Sequence, residues 1–104
     1  MNPNLLTPEA VEEMSEAVAW YEERREGLGQ EFLEELRQVM TWVIHRPASF
    51  PRLRDVPHDL DIRRALLPRF PFAVVFLRAE QTIRVLAIAH QKRRPNYWLN
   101  RVQP

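Results

Sequence analysis

Two apolar runs lie a few residues apart in the last third of the chain, FPFAVVF at 70–76 and IRVLAIAH at 83–90. Both are too short for buried helices and rich in β-branched or aromatic residues, so they read as strands. The link between them is short, which makes them antiparallel neighbours. The first run is apolar on both faces. It therefore suits a central strand covered by helices on one side and by further protein on the other. Pro68 and Pro71 have no N–H to give to a ladder and mark the turn before it. The expected strands are 62–67, 72–77 and 82–90.

The first half has helical periodicity. Thr7 suits an N-cap, Pro8 the first helical position and Glu9 the positive helix end. Ala10, Met14, Ala17, Val18 and Tyr21 then recur on one face. Gly27 and Gly29 are the only glycines and mark a turn. A second stripe follows, Leu28, Phe32, Leu36, Val39, Met40, Val43 and Ile44, and it stops before Pro47. Residues 7–46 thus read as an antiparallel helical hairpin, residues 48–61 as a loop, and residues 95–101 as a short terminal helix. The fold class is α+β. One domain spanning 1–104 packs the hairpin on a three- to four-stranded antiparallel sheet in two layers. Phe32, Leu36, Val39, Val43, Phe72, Val74, Phe76, Leu86 and Ile88 are the expected core.

Charge narrows the functional classes. The net charge is only +1, but glutamates crowd the first third and most arginines follow residue 50. That asymmetry points to a localised anion-binding face rather than general adhesion to nucleic acid. No cysteine is present, and the three histidines are scattered, so neither a disulfide framework nor a metal site is expected. No cofactor is expected. The N-terminus lacks a secretory pattern, and no apolar run approaches the ~20 residues that span a bilayer. The expected location is the cytoplasm. The glutamate-rich helices read as solvated faces, and Trp20 and Trp42 as exposed tryptophans of a partner surface.

Four stretches, in order, resemble the RelE/ParE superfamily of bacterial toxins: AVAWYEERREGLGQEFLEEL, FPRLRD, RRALLPRFPFAVVF and VLAIAHQKRRPNYW. The resemblance covers nearly the whole chain. It implies a toxin of a type II toxin–antitoxin system, neutralised by a cognate antitoxin in a hetero-oligomer. Some members cleave ribosome-bound messenger RNA without a metal; others poison DNA gyrase. Such toxins usually begin with a strand before the first helix. Here only six residues precede the cap, with Pro3 among them, so that strand is expected to be short or missing.

Metal-free RNA cleavage needs a base for the 2′-hydroxyl, cations for the developing phosphate charge and an acid for the leaving oxygen. His90 is the acid–base candidate. Arg64, Arg69 and Arg93 are the phosphate candidates, joined by Arg94, with Lys92 as a further cation. Tyr97 completes the candidate catalytic set, and Trp98 is a further rim aromatic. Each also has a structural reading: a loop-bonding histidine, solvated arginines, aromatics that pack the tail. His90, Arg64, Arg69 and Arg93 are expected to converge on one concave, positive face. Endoribonuclease action on ribosome-bound RNA is placed first. Non-enzymatic inhibition of gyrase or another protein stands second, because no full acid–base pair accompanies His90.

Overall fold

The computed structural model describes residues 5–102. Helix α1 runs Pro8–Arg24 and helix α2 Leu28–His45. Strands β1 (Asp61–Leu66), β2 (Phe72–Ala79) and β3 (Thr82–His90) form one antiparallel sheet in the order β1-β2-β3. The two helices pack on one face, giving the expected two-layer α+β architecture.

Local chemistry accounts for each boundary. The Thr7 hydroxyl accepts the Ala10 N–H and donates to the Leu86 carbonyl, so one buried side chain caps α1 and ties it to β3. Gly27 stands at φ 88°, a left-handed conformation that costs glycine little. Gly29 is required for a different reason: a Cβ there would lie 2.6 Å from the Val18 carbonyl oxygen of α1. Glu22 completes the turn by accepting the N–H groups of Gly27 and Gly29.

The sheet buries two separate apolar layers. Towards the helices, Val74, Phe76, Val85 and Ile88 meet Phe32, Leu36, Val39 and Val43. On the far face, Ile62, Val75, Leu86, Ala87 and Ala89 are covered by Trp98 and by Leu53, Val56 and Leu60 of the preceding loop. The doubly apolar run of β2 is explained by these two covers. All nine expected core residues lie inward except Phe72, which is half-buried.

One expectation is met and two are refined. The first strand of the family pattern is reduced to one parallel bridge, Leu6 to Val85, flanked by hydrogen bonds from Thr7 N–H to Val85 O and from Val85 N–H to Leu5 O. The portion of that expectation on residues 1–4 lies outside the described residues. The terminal helix is a short 3-10 turn at Leu99–Val102, because Asn96 adopts a left-handed φ of 61° and breaks any helix from residue 95. The 48–61 loop is partly ordered by Arg63. Its guanidinium donates to the carbonyls of Ala48 and Phe50 and pairs with Asp61.

Candidate functional site

The rim at the end of β3 carries two adjoining hollows. The first, about 490 Å3, is mostly apolar and lies between α1 and the sheet; Trp20, Tyr21, Phe72 and Ile88 line it with His90 and Arg93. The second, about 280 Å3, opens on the opposite face of the sheet. Its lining includes Arg54, Arg64, His90, Arg93, Arg94 and Tyr97. His90 and Arg93 border both.

Arg64, His90, Arg93 and Tyr97 are therefore brought together, as the sequence suggested. Arg63 and Arg64 face opposite sides of β1, and it is Arg64 that reaches the hollow. Arg69 is placed elsewhere. It sits over α2, where its guanidinium and backbone N–H both bond Glu35 and a second carboxylate, Glu31, lies 3.6 Å away. The hydrogen bond to Glu35 pushes its already basic guanidinium higher. The expected four-residue convergence thus becomes three residues plus Tyr97. Lys92 is exposed on the following turn, while Trp98 is buried on the far face of the sheet.

His90 is half-buried. Its ring packs edge-on to Phe72 at 5.0 Å, and its Nδ1 accepts the Lys92 N–H at 3.0 Å. That bond assigns the proton of the neutral imidazole to Nε2. Tyr97 is also engaged. Its hydroxyl donates to Glu13 at 2.6 Å, and burial together with that bond pushes the phenol well above its ordinary range. Its ring supports the Arg93 guanidinium, 3.9 Å from the ring centroid.

Glu13 is the residue that sequence reasoning missed. It accepts from Tyr97 Oη, from the Ile88 N–H and from both terminal nitrogens of Arg101. Burial pulls the Arg101 guanidinium down, but the bond and charge of Glu13 outweigh it and leave it raised. The helical glutamates are therefore not all solvated: Glu13 clamps α1 to β3 and the tail, Glu22 caps the turn, and Glu35 holds Arg69. The available signal was placement. Glu13 stands three residues after Ala10 and four before Ala17, on the buried stripe of α1, where a bare carboxylate needs donors. Trp20 and Trp42 are half-exposed, as expected, and Trp20 is capped by Arg24 at 3.4 Å.

No group of histidine and carboxylate side chains among the described residues is arranged to hold a metal ion. No helix among them is long and apolar enough to cross a membrane. The arrangement can bind anions and apolar groups side by side, with one imidazole between them. Comparison with curated proteins returns no significant match. A family profile described as the ParE toxin of the type II toxin–antitoxin system, parDE, matches residues 5–95. Since that match runs over both helices, all three strands and the arginine-rich turn, the chain belongs to the ParE family of toxins, each paired with a cognate antitoxin.

Proposed function

We propose that this toxin arrests growth by binding DNA gyrase rather than by cutting messenger RNA. The observation that carries the reading is the engagement of Tyr97 by Glu13. Metal-free cleavage of RNA moves a proton at two oxygens, so it needs two titratable groups in reach of the phosphate. At this rim the second group is committed to the fold. The Tyr97 phenol is held protonated, and Glu13 is saturated by four donors. His90 stands alone. In its neutral form Nδ1 is occupied and Nε2 carries the proton, which leaves it no free lone pair to act as a base. The apolar hollow with its half-exposed Trp20 suits an anchor from a protein target instead.

The test is a pair of assays with the purified toxin. Supercoiling by gyrase should be inhibited at toxin concentrations that leave cell-free translation and its messenger RNA intact. Cut messenger RNA on ribosomes, abolished by His90→Ala in a folded protein, would overturn the proposal and restore the nuclease.

A further inference from the structure

Half of the fourteen arginines of this chain are neutralised within it. Arg24, Arg25, Arg52, Arg63, Arg69, Arg78 and Arg101 all pair with carboxylates. Arg54, Arg64, Arg93 and Arg94 do not, among the described residues, and all four line the same 280 Å3 hollow. They come from three segments: the loop before β1, β1 itself and the turn after β3. Asp55 is the only carboxylate in the lining, and it joins no ion pair among the described residues. Four like charges held together repel one another, so the arrangement is costly unless an anion enters.

The walls are built, not loose. Asn96 donates its amide to the Asp55 carbonyl at 2.8 Å and pins the turn after β3 to the loop before β1. The Arg93 guanidinium rests against the Tyr97 ring, which Glu13 fixes, and Arg101 fixes Glu13 in turn. The guanidinium is thus aimed in advance and loses little freedom on binding. The floor includes the cross-strand pair Ala73 and Ala89, whose small side chains let a ligand approach the sheet closely.

We infer that this hollow grips the phosphodiester backbone of a nucleic-acid strand. All four arginines are exposed, so the hollow is an open cleft through which a polymer can pass. Repeated backbone charges match a row of unpaired guanidiniums. An acidic peptide would draw its affinity from apolar anchors, and the apolar hollow that could take them lies on the opposite face of the sheet from these arginines. The inference rests on the gyrase reading only for the source of the strand, the DNA that gyrase holds; RNA is the other source of the same chemistry.

The experiment measures fluorescence anisotropy of short labelled duplex DNA, single-stranded DNA and RNA with the full chain, without gyrase, over a range of salt. Binding should weaken linearly in log–log form as salt rises. Arg64→Gln and Arg94→Gln should each lower that salt slope by about 1 and weaken binding to all sequences alike. Arg37→Gln, an arginine of α2 outside the hollow, should leave binding unchanged, and circular dichroism should be the same for all variants. An Arg64→Gln/Arg94→Gln double variant that binds like the parent would overturn the inference. So would the absence of salt-dependent binding, or displacement by polyglutamate at lower concentration than by unlabelled oligonucleotide. Tighter binding of RNA than of either DNA would uphold the cleft while sinking the gyrase source. Inhibition of gyrase without any oligonucleotide binding would do the reverse.

Discussion

Replacing Glu13 by Ala removes the acceptor of four hydrogen bonds from three residues at once. The Glu13–Arg101 pair is only 12% and 13% exposed at its side chains. Removing one member of a fully buried pair costs about 3–5 kcal/mol, because the survivor stays in the protein without compensation. Some water reaches this pair, and Arg101 keeps its bond to the Leu86 carbonyl, so roughly 2–3 kcal/mol is the reasonable share. The orphaned Ile88 N–H adds about 1 kcal/mol. The total, about 3–4 kcal/mol, is a large part of the 5–15 kcal/mol that holds a domain together. At about 4–8 °C per kcal/mol for a chain of this size, the midpoint should fall by roughly 12–32 °C. Thermal unfolding followed by circular dichroism measures it. Glu13→Gln keeps an acceptor and should cost about half as much. Adding Arg101→Ala to Glu13→Ala should cost little more, since the two share one interaction. A Glu13→Ala midpoint within about 4 °C of the parent, under ~1 kcal/mol, would refute the clamp.

Gly29→Ala should destabilise by about 1–3 kcal/mol through its collision with the Val18 carbonyl, and urea titration should place it well below the parent. Gly27→Ala meets open space but must hold a left-handed φ, so about 1–2 kcal/mol is expected from backbone strain alone. Leu36→Ala should cost about 2–5 kcal/mol, read from the same titration, because the side chain is almost fully buried against the sheet. The Tyr97 phenol is raised in the folded state, so its contribution is fully present below the unfolded value of about 10 and is lost as pH climbs beyond it. Unfolding followed between pH 9 and 11 should therefore fall less steeply for Tyr97→Phe than for the parent.

The helices and strands were legible because periodicity and prolines leave few choices: Pro8, Pro47, Pro68 and Pro71 all stand at element edges. The gathering of Arg64, His90, Arg93 and Tyr97 was legible because strand ends and a short turn force neighbours together. Arg69 was misplaced because its partner, Glu35, lies far away in sequence on α2, and a carboxylate that captures a cation leaves no local mark. Glu13 was hidden for the same reason, its donors coming from β3 and the last few residues described. Arg54 was missed as a loop residue of no pattern; the backbone bond from Leu53 to Ile62 and the Asn96–Asp55 bond, both between residues distant in sequence, bring its segment to the rim.

The pairing of β2 with β3 holds one irregularity: Val75 faces Ala87 and Phe76 faces Val85, so Leu86 is an extra residue. Ahead of Leu86 the odd-numbered residues look towards the helices; after it the even-numbered ones do, Ile88 among them. The bulge acts as a phase shifter for everything downstream. In a strict two-residue alternation Val85 and Ile88 would point to opposite faces, and His90 would stand on the face away from Phe72. Leu86 thereby selects the face on which the rim's imidazole ends, four residues upstream of it. A deletion of that one leucine would reverse the sidedness of the rim without altering a single residue in it.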